Sequence, residues 1–261
     1  MRYAPRREGE ARTIVWRGQR KLLFSEIGAL LKTDPEKQYT AVYAGAAPCI
    51  HTPFLSESFP NVTFHLYDPA PLKIQETDRI KIFNTYFTDE VAQGYKDVIF
   101  ICDIRRTVEE ENVWEDMLAQ QKWYDTMKPC ITSLKFRLPW PGEAVLQNGS
   151  ETVEYLDGDI HLPIWGRTST TESRLVITGP DAKRVAYDCK AYEEEMSFFN
   201  RVVRPSVHPH PPVRGLDACF DCTAEISLLA QYCLRTRGQE VDWAHVAELS
   251  ARVTRVLGRG V

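Results

Sequence analysis

Residues 39–51 read YTAVYAGAAPCIH: a run of β-branched and aromatic side chains that breaks at Gly45 into a small-residue loop closed by Pro48. Such a run ending in a glycine-bearing turn is a strand feeding a tight connection. Further along lie NVTFHLYD (61–68), IKIFNTYF (80–87) and DVIFICD (97–103), short strands of the same kind, each closed by a polar turn. NVWEDMLAQQKWYDTM (112–127) has apolar residues near helical spacing, and PCITSLKFRL (129–138) and SRLVITG (173–179) add two strands. Strands alternating with helices imply a mainly parallel sheet with right-handed crossovers. The expectation is an α/β, Rossmann-like architecture with helices flanking the central sheet. In such a sheet ligands sit beyond the carboxyl ends of the strands near the first crossover, the place that Gly45 to His51 occupies.

The connection from Gly142 to Arg167 is polar, and an extra hairpin is expected there. AYEEEMSFFNRVVR (191–204) reads as a helix, PSVHPHPPVRG (205–215) as a proline-rich break, and two further helices are expected over about 216–236 and 241–257. With 261 residues the chain is long enough for one large domain. One domain over 1–261 is expected: an N-terminal segment 1–38, a core 39–204 and C-terminal helices 205–261.

A 43% apolar content supports a packed core, and no apolar run reaches the roughly 18–20 residues needed to span a bilayer. The basic start MRYAPRREGEART lacks an apolar stretch and so is not a secretory signal. Seven cysteines spread along the chain read as reduced thiols rather than a disulfide framework, which implies an intracellular setting. A formal charge of −4 argues against global attraction to nucleic acid, so an RNA site would have to be a local basic patch. His208 and His210 with Cys219 and Cys222 could ligate zinc, although Cys219 and Cys222 fall where an apolar helix begins. Cys222 and Cys233 read better as helix-packing residues, His245 as packing or surface, and Glu193–Glu194–Glu195 as a solvated helix face.

Four charged residues stand in distinctive settings: Lys21 in WRGQRKLLFSEI, Asp103 ending DVIFICDIR, Lys135 within ITSLKFRLPWP and Glu172 opening ESRLVITG. A chain with 26% charged residues has many such groups, and spacing alone would not single these out. The surrounding segments do. RGQRKLLFSEIGAL, AVYAGAAPCIH, HLYDP, DVIFICDIR, ITSLKFRLPWP, TTESRLV and AYEEEMSFFNRVVR, in register over roughly residues 15–204, resemble the poxvirus cap-specific mRNA 2′-O-methyltransferase family. In those viruses the same protein is also the small subunit of the poly(A) polymerase.

The resemblance implies a Lys–Asp–Lys–Glu tetrad of Lys21, Asp103, Lys135 and Glu172. A ribose hydroxyl is a weak acid, so its attack on a methyl sulfonium calls for a base. A lysine can serve only if its pKa falls well below about 10.4, and a second ammonium nearby disfavours the charged form of the first. Lys135 is the expected base, with Lys21 orienting the hydroxyl and the two acids positioning the lysines. The reaction requires no metal.

S-adenosylmethionine is the implied cofactor, with Tyr43, Gly45, Ala47, Pro48, His51, Asp68, Phe87 and Asp103 around it. Asp68 is suited to a ribose diol. Where the family has a second glycine this chain has Cys49. Recognition of a methylated cap stacks a cationic base between aromatic rings and bonds its edge to carboxylates. Tyr3, Trp140 and Glu193 are the implied contacts, whereas the family's second acid falls on Gly142, with Glu143 next to it. The partners implied are the capped 5′ end of mRNA and a poly(A) polymerase catalytic subunit, with no membrane, in the cytoplasm or a virion. A processivity subunit without the chemistry, and methylation of a non-cap RNA, remain as alternatives.

Overall fold

The computed structural model describes residues 15–143, 146, 150–211, 213, 217–238 and 240–257. They fall into two compact units: one takes the described residues up to Leu31, Pro163–Thr171 and those from Glu194 on, the other Lys32–Leu162 and Glu172–Glu193. No described helix is long and apolar enough to cross a membrane.

The second unit is the α/β body. Its strands are β1 (Tyr39–Ala44), β2 (Val62–Tyr67), β3 (Ile80–Phe83), β4 (Ile99–Cys102), β5 (Ile131–Phe136), β7 (Asp159–His161) and β8 (Ser173–Thr178). They form a seven-stranded sheet in the order β3-β2-β1-β4-β5-β8-β7. The first five are mutually parallel, while β8 runs antiparallel to β5 and β7 antiparallel to β8. α2 (Thr52–Ser58), α3 (Asp89–Gln93) and α4 (Glu110–Met127) lie on the connections between the parallel strands. The mainly parallel, Rossmann-like sheet expected from the alternation is what forms.

β1 lies between β2 and β4, so the chain first winds outward through β2 and β3 and then returns to the other side of β1. That reversal opens a crevice at the carboxyl ends of β1 and β4, where open α/β sheets bind ligands. β5 is buried at all six positions, including Lys135. A strand covered on both faces cannot show an alternating pattern, which is why ITSLKF reads as a continuous run.

The expected hairpin in the 142–167 connection is corrected. β6 (Thr152–Leu156) and β7 do not pair with each other. β6 pairs antiparallel with β9 (Arg184–Asp188) in a separate two-stranded sheet, and β7 extends the main sheet beyond β8. Tyr155 decides the placement: it is fully buried against Phe136 and donates to the Met117 carbonyl at 2.9 Å, a site that a solvent hairpin could not offer.

In the first unit α1 (Val15–Leu30) packs against α7 (Phe220–Arg237) and α8 (Trp243–Leu257). Arg20 of α1, fully buried, donates from Nε to Glu225 of α7 at 2.8 Å. The Glu225 carboxylate also accepts from Trp165 Nε1 at 2.9 Å and Ser250 Oγ at 2.8 Å. Such a pair is stable only because its remaining lone pairs are satisfied. Arg235 closes the carboxyl end of α1, donating to the carbonyls of Leu30 and Leu31 at 3.1 and 2.6 Å.

Two further expectations change here. α5 (Cys189–Phe198) passes into a π-helical turn over Phe199–Val203 before α6 (Arg204–Ser206), so 191–204 is not one regular helix. Asn200, inside that turn, donates to the carbonyls of Thr170 and Met196 at 2.7 and 2.9 Å, and widened turns recur where a side chain must reach a partner outside its helix. The expectation of seven reduced thiols fails at one pair, because Cys219 and Cys222 are joined as a disulfide at the start of α7, their Cα atoms 5.1 Å apart. Three-residue spacing across a helix N-cap brings the two sulfurs onto one side. Cys49, Cys102, Cys130, Cys189 and Cys233 are free thiols. The zinc alternative therefore loses two of its ligands, and no group of three or more His, Cys, Asp or Glu that could hold a metal occurs among the described residues.

Candidate active site

Three of the four tetrad candidates converge at the carboxyl end of the sheet. β4 pairs with β5 up to Cys102 opposite Leu134, which sets Asp103 beside Lys135. The antiparallel register sets Lys135 opposite Arg174, and Glu172 is two residues before it, on the same face. Lys135 Nζ is 3.1 Å from Asp103 Oδ1 and 3.7 Å from Glu172 Oε2, and it donates to the Asp103 carbonyl at 3.3 Å. Lys21 lies on α1 in the first unit, half-buried.

Arg174 is a member of this cluster that its sequence setting did not reveal. Its guanidinium pairs with Asp103 Oδ1 and donates to the Cys102 carbonyl at 3.2 Å. Burial alone would weaken this cation, but Asp103 and Glu172 outweigh it and hold Arg174 above its ordinary pKa. One carboxylate thus serves two cations. Arg105 is pushed below its ordinary value by burial, with Glu172 opposing that shift and Arg137 adding to it.

Beside the cluster opens a cavity of about 600 Å³, lined among others by Gly45, Tyr67, Asp68, Phe87, Arg105 and Trp123. Its size suits a nucleoside-sized ligand. Gly45 has φ +76°, and a Cβ there would come within 2.8 Å of the Ile104 nitrogen, so only glycine lets the β1 loop cross the end of β4. Asp68 is aimed by two backbone donors, accepting from Ala47 N at 3.0 Å and Ala70 N at 2.8 Å. Each oxygen keeps a lone pair for a diol. Phe87 meets Tyr67 and Trp123 edge-on, at centroid distances of 5.2 and 4.9 Å, and these rings make an apolar slot for a planar base.

The other cofactor candidates, Tyr43, Ala47, Pro48 and His51, do not line this cavity. The peptide bond between Ala47 and Pro48 is cis. Tyr43 and His51 are fully buried, ring edge to ring face at 6.3 Å. Cys49 adopts φ +58°, a left-handed conformation in which glycine is at ease and cysteine is not. A carboxylate for a diol, an aromatic slot and a glycine crossing together fit an adenosyl group with its ribose.

The sequence profile of the family described as "Poly A polymerase regulatory subunit" matches residues 1–233. The chain belongs to this family. Two curated relatives, the cap-specific mRNA (nucleoside-2′-O-)-methyltransferases of the Lausanne and Uriarra strains of myxoma virus, are each 28% identical over 218 residues, covering 72% of this chain. The chain spans 61% of the length of these curated relatives. Among solved structures, bluetongue virus VP4, described as a multifunctional RNA-capping production line, matches with a TM-score of 0.53 at 12% identity. That match covers 67% of this chain and 30% of VP4 and shows a shared fold.

The remaining candidates of this family member are partly placed. Arg137, two residues from Lys135, pairs with Glu110, and its guanidinium lies over the Trp140 ring at 5.4 Å. Glu110 also accepts from the Trp140 backbone N–H at 3.2 Å, so one acid at the start of α4 fixes both. Glu193 follows Tyr192, whose hydroxyl is bonded to Ser173 Oγ at 2.9 Å and donates to the Phe136 carbonyl at 3.3 Å, the immediate neighbours of Glu172 and Lys135. Tyr3 lies outside the described residues. The residues that motif reading passed over are Arg105, Arg137 and Arg174. Period-two spacing carries the signal for the last two: Lys135 with Arg137 and Glu172 with Arg174 share strand faces.

Proposed function

We propose that this chain is an S-adenosylmethionine-dependent RNA ribose 2′-O-methyltransferase acting on a cap-proximal nucleotide of mRNA. The observation that carries the reading is Lys135 Nζ held by Asp103 and Glu172, with Ile104 and Arg105, next along the chain from Asp103, lining a nucleoside-sized cavity. When bound, S-adenosylmethionine supplies an electrophilic methyl group on a sulfonium. Asp68 would hold its ribose, Phe87 and Tyr67 would flank its base, and the Gly45 turn would admit its close approach. The protein's larger contribution is alignment of the acceptor oxygen.

With Nζ as the free amine, Lys135 takes the 2′-hydroxyl proton, and Asp103 and Glu172 stabilise the ammonium that forms. Arg174 keeps Asp103 in place. Lys21 is assigned the fourth position on resemblance alone. Trp140 and Glu193 are assigned to the methylated cap base, and Tyr3 is a third contact on the same ground. The chain is read as one methyltransferase domain, in the cytoplasm or a virion.

Methyl transfer from labelled cofactor to capped and uncapped short RNA, with nuclease mapping of the product, tests this. Label in the ribose of a cap-proximal nucleotide, dependent on the cap, is the expected result. Equal labelling of both RNAs would move the substrate to non-cap RNA. Membership of the poly(A) polymerase regulatory subunit family favours a second role as a processivity partner, which leaves the methyl-transfer reading in place. Co-sedimentation with a poly(A) polymerase catalytic subunit, and longer tails in its presence, would test that role.

A further inference from the structure

The parallel ladder between β4 and β5 stops one residue short of Lys135, at Cys102 opposite Leu134. Asp103, next along the chain, gives its N–H to Ala44 on the other side at 2.9 Å. The Lys135 carbonyl is met instead from α4, where the Gln120 carboxamide donates to it from Nε2 at 3.2 Å. This orientation is dictated by the partner, since a flipped amide would set two acceptors against each other.

Gln120 is fully buried, and its Oε1 has no hydrogen-bond partner among the described residues. An orphaned buried acceptor lowers stability, and a methionine of similar size would avoid it. The carboxamide therefore adds little net stability, and its one bond goes to the backbone of the residue that carries the proposed base. One helical turn earlier on the same face, Asp116 does the like for the loop after β4, accepting from Arg106 N at 3.0 Å and Arg106 Nε at 2.7 Å. α4 thus fixes the exits of both strands that bear the site.

We infer that Gln120 is a positioning residue, holding the Lys135 backbone so that Nζ is directed at the acceptor. This rests on Lys135 being the base. Gln120→Met keeps the length and volume of the side chain and removes both polar atoms. With RNA and S-adenosylmethionine saturating, kcat is expected to fall about tenfold, because small displacements of a reacting group lower rates steeply. Affinity for S-adenosylmethionine by calorimetry should stay within about twofold, since Gln120 does not line the cavity. Tm should move by no more than about 4 °C, the lost bond and the removed orphan oxygen offsetting each other.

Gln120→Glu is the second variant. Its buried carboxyl donates to the carbonyl only when protonated, so its kcat relative to wild type should rise as pH falls. Wild-type kcat in Gln120→Met, a joint loss of Tm and cofactor affinity, or a pH-independent ratio for Gln120→Glu would each overturn the inference. Lys135→Ala in the same assay separates the two readings. If it keeps turnover, the base assignment fails and this inference with it; if it is inactive while Gln120→Met is normal, only the role of Gln120 falls.

Discussion

Lys135 and Asp103 meet at 3.1 Å across the ends of two parallel strands, and the carboxylate oxygen that Lys135 approaches is the one Arg174 grips. Lys135→Ala should lower methyl transfer by about 10²–10⁴, the usual range for removal of a general base. Cofactor binding should be nearly unchanged, because the role proposed for the lysine is on the acceptor. A variant that retains more than about a tenth of wild-type turnover would remove Lys135 from this role.

The cavity wall gives a contrasting pair of substitutions. Gly45→Ala combines a left-handed backbone with a Cβ 2.8 Å from the Ile104 nitrogen, and it should abolish measurable cofactor binding by displacing the end of β4. Cys49→Gly relieves a left-handed φ of +58° at a buried side chain. The relief is roughly 1 kcal/mol, similar in size to the added freedom of the unfolded chain, so stability should change by less than about 1 kcal/mol. Thermal denaturation with and without S-adenosylmethionine reads both.

Asp68→Ala removes a carboxylate that two backbone N–H groups already aim into the cavity. Charge-assisted bonds to a ribose diol are worth about 1.5–3 kcal/mol, so affinity for S-adenosylmethionine should fall by at least about tenfold. Unchanged affinity in calorimetry would mean that the diol lies elsewhere.

The strands next to Asp103 and Glu172, and the one that carries Lys135, were readable because each is a mainly apolar run bounded by polar or charged residues. β9 was not: RVAYD is short and charged at both ends, and it becomes a strand only by pairing with β6 about thirty residues earlier. Arg174 escaped for a related reason. A charge inside an apolar strand has no evident role until the register sets it opposite Lys135 and brings it onto Asp103. Gln120 lay in a helix that was correctly read, but its burial and its bond to Lys135 depend on where the β4 ladder stops. The Cys219–Cys222 pairing is likewise a property of the helix N-cap, which cysteine counting does not see.

In the helical unit, Glu225 binds Arg20, Trp165 and Ser250 at once, with both charges buried. Glu225→Ala would strand the Arg20 cation in the interior and should cost about 3–5 kcal/mol. Replacing both charges with apolar residues of matched volume should recover much of that loss. Urea denaturation of the single and double variants measures the coupling, and additive losses would show that the two residues do not act as a pair.

Trp140 carries the last prediction. Its ring already has the Arg137 guanidinium over it at 5.4 Å, held there by Glu110. A cationic cap base would stack on the opposite face, with the Glu110–Arg137 pair close to neutral beneath the ring. Trp140→Ala should then cost about 1–3 kcal/mol of affinity for a methylated cap analogue. The loss should be much smaller for unmethylated guanosine nucleotide, which lacks the positive charge that the ring attracts. Glu193→Gln should reduce the same selectivity by weakening a bond to the guanine edge, and neither change should touch cofactor affinity. Fluorescence titration with the two nucleotides decides the matter. Equal binding of both by the wild-type protein would make Trp140 a packing residue fixed by Arg137 and Glu110, and it would assign the loss of cap reading to the glycine at position 142.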